Sequence, residues 1–390
     1  MKIAVVCDSF KGSLTSKDAC AAVKDGLLRC NKNFEVLSLP FADGGEGTSR
    51  CFYDILGGQL RKAAVHDPLL REITAEYTVL PDGTAVIDVA SASGLTLLKS
   101  SERDAVKVSS LGSGELICDA AEHGAKHIIL GLGGSATTDA GTGILYALGM
   151  RFFSEDGVEV LPDGQNMIRV KKIRRNENFE RFKDIKFTLA CDVTNPLCGE
   201  NGAAYVFSPQ KGASKNDVEL LDDGLRNIGE IFEKASGKKI INLPGAGAAG
   251  GIGGGLSAFL NCELQSGFDV LARAASLEDK IRRSDAVITG EGKTDRQTLF
   301  GKLPKRVSDI AEKFGVPCIL LSGDVENDIS AEKLGVCEIH KIKENGISLE
   351  HCMKNAASLL SEKAFAIGKE SKIINKQYSR KQEKIRENER

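Results

Sequence analysis

At both ends of this chain short apolar segments alternate with amphipathic helical ones, and in the middle they do not. Lys2-Ile-Ala-Val-Val-Cys7 reads as a strand, and Ser16 opens a helix to Cys30 with apolar positions at Ala19, Ala22, Val23 and Leu27. Phe34–Leu39 reads as a second strand and Gly45–Leu56 as a second helix. The rhythm returns near residue 284, with strands at Ala286–Thr289 and Pro317–Leu321 and helices at Leu303–Phe314 and Leu349–Ile367. Strands that are apolar throughout and alternate with helices belong to parallel sheets covered on both faces. Between them, Thr74–Leu80 and Thr84–Val89 flank Pro81-Asp-Gly83, a hairpin turn signal. A helix at Gly114–His123, a strand at Lys126–Leu130, strands near 186–191 and 203–207 and a polar helix near 217–235 follow. The pattern predicts an α/β chain in which one domain is made from both ends and a second is inserted into it.

Composition narrows the class. At 390 residues the chain is too long for one ordinary core. Glycine is frequent at 42 residues and proline scarce at 9, which points to tight functional turns and not to a linker. Tryptophan is absent, which argues against aromatic carbohydrate platforms and membrane belts. A net charge of -2 gives no electrostatic case for nucleic acid. Lys369–Arg390 carries +4 and the remaining body about -6, so the last residues read as a solvated tail. Eleven cysteines lie scattered without a C-x-x-C pair, and Cys7, Cys191 and Cys318 read as small core residues. With a first strand that begins at once, leaving no signal peptide, the expectation is a reducing cytoplasm. Five histidines without ligand spacing suggest no zinc site. Ile240–Cys262 is uncharged, but seven glycines and Pro244 make it a loop and buried helix, not a membrane span.

Five loops share one form, an apolar strand followed by glycine with acid, hydroxyl or lysine. They are Asp8-Ser-Phe-Lys11-Gly-Ser13, Ala42-Asp43-Gly-Gly-Glu46-Gly-Thr48, Gly131-Leu-Gly-Gly-Ser-Ala-Thr-Thr-Asp139-Ala-Gly-Thr-Gly143, Cys191-Asp192-Val-Thr-Asn195 and Gly290-Glu291-Gly-Lys293-Thr-Asp295. Each alone could be a structural turn, since Asp and Asn cap helices and Gly ends strands. Together they supply what phosphoryl transfer needs: backbone donors and lysines for phosphate, carboxylates for a metal, and a base for a hydroxyl. Lys211, in Ser208-Pro-Gln-Lys-Gly-Ala213, is either a solvated surface residue or a further phosphate cation. Two motif matches fail. Gly292-Lys293-Thr294 ends like a P-loop, but Val287 stands where that motif needs glycine. Gly245-x-Gly247-x-x-Gly250 fits a dinucleotide fingerprint but lacks a following strand ending in an acid, which leaves at most a phosphate contact.

Taken together the chain resembles the glycerate kinase family, the bacterial type that phosphorylates glycerate with ATP. The stretches that carry the resemblance are Asp8–Leu14, Ala42–Thr48, Ala92–Leu95, Gly131–Ala136, Ala190–Leu197, Pro209–Ala213, Pro244–Gly251, and Ile288–Gly292 through Asp295 to Gly301-Lys302. They come in the family's order over residues 1 to about 367. Two departures stand out. Thr137-Thr-Asp-Ala-Gly141 replaces the usual Thr-Asn-Asp-Gly-Gly, and Leu70 replaces the glycine of Asp-Pro-Leu-Gly-Arg while Arg71 is kept.

The resemblance implies a Rossmann-like domain from 1–60 and 284–370, an inserted flavodoxin-like α/β domain at 61–283, and a charged tail at 371–390. It implies transfer of the ATP γ-phosphate to D-glycerate, most naturally to O2; attack at O3 or a non-catalytic sensor are the alternatives. Asp192 is the first candidate for the base and Asp43 the second. Lys11 and Arg71 are candidates for the substrate carboxylate, with Asp8 and Glu46 also expected at the substrate. Gly131, Gly133, Gly134, Ser135, Lys211, Gly290 and Gly292 are expected at phosphate or nucleotide, and Glu291 and Asp295 at Mg²⁺. The expected partner is the small-molecule substrate, without nucleic acid or membrane. The oligomeric state stays open, a homodimer being one option.

Overall fold

The computed structural model of the chain describes residues 1–42, 44–344 and 346–379. Its strands run, in chain order, β1 (Lys2–Cys7), β2 (Glu35–Pro40), β3 (Gln59–His66), β4 (Glu72–Val79), β5 (Ala85–Asp88), β6 (His127–Gly131), β7 (Met150–Phe153), β8 (Lys172–Arg175), β9 (Lys186–Ala190), β10 (Asn261–Gln265), β11 (Ala286–Thr294), β12 (Cys318–Val325) and β13 (Glu338–Lys341). Packing divides the chain into two compact units, Met1–Asp43 with Leu271–Arg390, and Gly44–Val270. The divisions therefore fall before the helix Thr48–Leu56 and before residue 271, not at 60 and 283. That helix packs on β4 and β5, which draws it into the second unit.

In the first unit five parallel strands lie in the order β13-β12-β11-β1-β2. The apolar runs of β1, β11 and β12 are buried, as strands covered on both faces must be. The helix Ser16–Cys30 begins where Thr15 accepts the Asp18 N–H at 3.1 Å. Its buried face packs against the helix Ala356–Glu370 so closely that a Cβ on Gly26 would stand 2.0 Å from the Ser361 carbonyl. Residues 372–379 are helical, with Ile374 in the core and Tyr378 edge-on to Phe34 at 5.8 Å. The start of the predicted tail is thus part of this unit, and 380–390 lie outside the described residues.

In the second unit a six-stranded sheet has the order β10-β9-β6-β5-β4-β3. The first four strands are parallel; β4 runs antiparallel to β5 through the predicted Pro81-Asp82-Gly83 hairpin and antiparallel to β3 through the turn at 67–71. A separate ribbon pairs β7 with β8. Ala203–Phe207 is a short helix and not the expected strand: Ala203 and Ala204 are buried while Tyr205 and Val206 are exposed, a one-sided pattern that a strand would not give. The uncharged stretch becomes a buried, kinked helix at Ala248–Phe259, and among the described residues no helix is long and apolar enough to cross a membrane. Cys7 and Cys318 are buried strand residues as expected, while Cys191 lies one residue beyond β9 and is only partly buried.

Candidate active site

Parallel strands deliver their following loops to one edge, and each unit gathers its polar motifs there. In the second unit Asp88, Gly131 and Ala190 stand in register at the carboxyl ends of β5, β6 and β9. The glycine loop that leaves β6 is fixed by backbone bonds on both sides: Leu132 N–H to Ala190 O at 3.1 Å and Gly133 N–H to Gly44 O at 3.1 Å. A Cβ on Gly133 would sit 2.5 Å from the Gly45 Cα, so only glycine permits this approach. Leu95 N–H bonds the Gly134 carbonyl at 2.9 Å, and the Thr96 hydroxyl donates to Glu46 at 3.3 Å. The loop, Glu46 and the segment Gly94–Leu97 therefore form one neighbourhood.

Lys211 belongs to it as well. It is 4% exposed, and its ammonium donates to the Ser135 hydroxyl at 3.0 Å and the Thr137 carbonyl at 2.6 Å. Burial pushes it down to about 7, opposed by the charge of Asp139. The surface reading of this lysine is thereby excluded. It follows the short helix Ala203–Phe207, in the turn Pro209–Lys211. Asp139 is buried and accepts the Ser110 N–H and hydroxyl and the N–H groups of Gly141 and Gly143, which makes it the anchor of the loop.

Asp88 was not legible as a site residue. It is 4% exposed and accepts the Gly47 N–H at 2.9 Å and the Ser49 N–H at 3.0 Å, at the start of the helix Thr48–Leu56. These bonds hold the Glu46 loop beside Gly131 and explain why the helix begins at Thr48 and not at Gly45. Burial pushes its carboxyl up to about 7, the two N–H groups oppose this and Glu46 adds to it. An acid closing the apolar run Ala85–Ile87 was the available signal.

The other predicted residues of this unit stand apart in character. Asp192 is exposed on the loop after β9. Arg71 holds Asp67 at 2.5 Å and Glu102 at 2.9 Å, so its charge is already matched by two carboxylates. It braces the turn in which Leu70 takes a positive φ of 62°, the place where the family's glycine is replaced. Asp43 lies outside the described residues.

In the first unit Cys7 pairs with Gly290, which brings Asp8 and Glu291 out together at the ends of β1 and β11. Glu291 is 5% exposed and accepts the Thr298 hydroxyl at 2.7 Å. Burial pushes it up to about 7, Asp8 adds to this, and the Thr298 and Thr294 hydroxyls and Lys302 oppose it. Gly290 and Gly292 leave room for backbone: a Cβ on Gly292 would stand 3.2 Å from the Phe10 Cα. Lys11 is exposed and has no ion pair among the described residues. Asp295 caps the helix Arg296–Leu299 through the Gln297 N–H at 2.9 Å and meets Lys302 at 3.3 Å. Burial opposes its charge, yet Lys302 and the N–H groups hold it below the usual carboxylate range. No group of three or more His, Cys, Asp or Glu among the described residues could hold a metal alone.

Known proteins place this arrangement. The profile of the glycerate kinase family matches residues 3–372. A glycerate kinase of Halalkalibacterium halodurans is 38% identical over 364 residues, covering 93% of this chain and 96% of its own. A glycerate 2-kinase of Escherichia coli K12 is 41% identical over 330 residues, covering 84% and 87%. A crystal structure from Salmonella typhimurium LT2, assigned as a candidate glycerate kinase 2, superposes with a TM-score of 0.83 at 35% identity, covering 94% of this chain and 97% of that one. Matched in profile, sequence and fold along nearly its whole length, the chain belongs to the glycerate kinase family.

Proposed function

We propose that this kinase transfers the γ-phosphoryl group of ATP to the 2-hydroxyl of D-glycerate, giving 2-phosphoglycerate and ADP. The observation that carries the phosphate half of this reading is Lys211, buried against the glycine loop through Ser135. Backbone N–H groups of Gly131–Ser135 supply donors that need no charge of their own, and Lys211 gains its full charge when an anion arrives. Gly290 and Gly292 are the corresponding close-approach positions of the first unit.

A secondary hydroxyl attacks phosphorus only as its proton leaves. In this reading the O2–H proton passes to Asp192 as the O2–P bond forms and the bond from Pγ to the β,γ-bridging oxygen breaks, so that the electron pair leaves with ADP. Asp43 is the second choice for that proton. Lys11 is the cation for the substrate carboxylate, with Asp8 and Glu46 set to receive hydroxyl protons as hydrogen-bond acceptors. Arg71 is better suited to brace the turn before the glycine loop, because its two carboxylates leave little net charge for a ligand.

Mg²⁺ keeps several waters and shares phosphate oxygens, so one or two protein carboxylates suffice for it. Glu291 fits that role: it is buried, and a dication would favour its charged form. Asp295 fits less well, since Lys302 already faces it. Bound there, Mg²⁺ would neutralise phosphate charge.

The test is ADP release by the purified protein with D-glycerate, L-glycerate and no acceptor. D-glycerate-dependent ADP release supports the reading. Tight ATP and glycerate binding without turnover would replace it with a sensor.

A further inference from the structure

The carboxylate of Glu291 is tied back to its own chain by a side chain to which the reaction has so far given no role. Thr298 lies seven residues further on, fully buried, in the short helix Arg296–Leu299. Its hydroxyl makes two bonds of opposite sense: it accepts the Asp295 N–H at 3.2 Å and donates its proton to Glu291 Oε1 at 2.7 Å. Asp295 in turn accepts the Gln297 N–H at 2.9 Å, so the helix opens with the reciprocal bonds of a capping box. That box needs only the first of the two Thr298 bonds. The second does nothing for the helix and acts on Glu291.

The other hydroxyl that acts on Glu291 is differently placed. Thr294 is also buried, but it donates to the Ser322 hydroxyl at 2.9 Å, and Ser322 donates to the Asp324 carbonyl at 2.7 Å. A hydroxyl has a single proton to give, so Ser322 competes with Glu291 for that of Thr294. At Thr298 a backbone N–H occupies the oxygen's lone pair and turns the proton toward Glu291. A carboxylate gripped at one oxygen by so fixed a donor has its rotation set before any cation arrives. Such bonds orient metal-binding carboxylates, and losing them weakens the metal without removing a ligand.

We propose that Thr298 is a positioning residue for the metal, its hydroxyl holding the Glu291 carboxylate in the orientation that takes the nucleotide's Mg²⁺. This rests on reading Glu291 as the carboxylate for Mg²⁺. Asp295 then acts at one remove, by capping the helix that carries Thr298.

The experiment is calorimetric titration of the full chain with ATP, once with Mg²⁺ and once with EDTA, for wild type, Thr298→Val, Thr298→Ser and Glu291→Gln, alongside ligand-free melting temperatures. The ratio of the two ATP affinities reads what the metal adds. In Thr298→Val it should fall by about tenfold or more, most of the way to its value in Glu291→Gln, the usual effect of removing a bond that orients a metal-binding group. Affinity for metal-free ATP should stay within about twofold, since no bond to the nucleotide is lost. Thr298→Ser keeps the hydroxyl and should keep the ratio. Should Thr298→Val not fold, Thr298→Cys, of similar size but a weak donor, carries the same prediction. A lowered ratio in Glu291→Gln with a wild-type ratio in Thr298→Val overturns the proposal and leaves the Glu291 reading standing. Equal weakening with and without Mg²⁺, together with a lower melting temperature, overturns it too and makes Thr298 a helix cap only. So does a serine variant as impaired as the valine one. An unchanged ratio in Glu291→Gln overturns both the proposal and the reading beneath it. The predicted ratios without glycerate phosphorylation would instead sink the glycerate kinase reading and leave Thr298's assignment in place.

Discussion

Lys211 donates to Ser135 across 76 residues of sequence, at 3.0 Å and out of contact with bulk water. Burial pushes this lysine down to about 7, and in the proposed reading an arriving phosphate would favour its charged form. ATP binding at pH 8 should therefore take up a proton, read as a dependence of the calorimetric enthalpy on the buffer's ionisation enthalpy. In Lys211→Met the uptake should vanish and ATP affinity should fall; an unchanged buffer dependence would refute the role.

Asp88 offers a stability test of the opposite kind. Its folded carboxyl, pushed up to about 7, lies above an unfolded value near 4. Its contribution to stability is then fully present below about pH 4 and is lost as pH rises through about 7. Wild type should lose stability across that window relative to Asp88→Asn, which has nothing to titrate there. Parallel pH profiles of the two melting temperatures would count against the buried-charge account.

Asp192→Asn tests the base. The residue is exposed, so the substitution should leave the melting temperature within about 1 °C, while kcat falls by about a hundredfold or more, the usual range for a general base. A kcat near that of wild type would move the role to Asp43.

Gly133→Ala tests the loop packing without touching a charge. The added methyl would meet the Gly45 Cα at 2.5 Å and push the Glu46 loop away from the glycine loop. We expect kcat/KM to fall tenfold or more, about 1.4 kcal/mol of transition-state stabilisation. Full activity would show that the two loops need not touch.

Much of this was legible. The helix Ser16–Cys30 has the predicted bounds because its apolar spacing and the Thr15 cap agree, and the parallel strands β1, β2, β6, β9, β11 and β12 announced themselves as short apolar runs, while β10 and β13, short and mixed with polar residues, did not. The segment Ala203–Phe207 misled because a five-residue run rich in aromatic and β-branched residues has no decisive period. Lys211 and Asp88 owe their character to burial and to partners distant in sequence; Asp88 meets Gly47 across 41 residues. Neither burial nor such pairing is written in local spacing. Arg71 shows the reverse: its motif placed it, but only the structure revealed Asp67 and Glu102 already in possession of its charge.

The most direct test of the central claim is the ³¹P NMR spectrum of the protein incubated with D-glycerate, ATP and Mg²⁺. The account predicts a new phosphomonoester resonance split by a single proton, the one on C2, growing as the γ-phosphate of ATP disappears. A resonance coupled to two protons would place the phosphate on O3, and no new resonance with ATP intact and the protein folded would contradict the account outright.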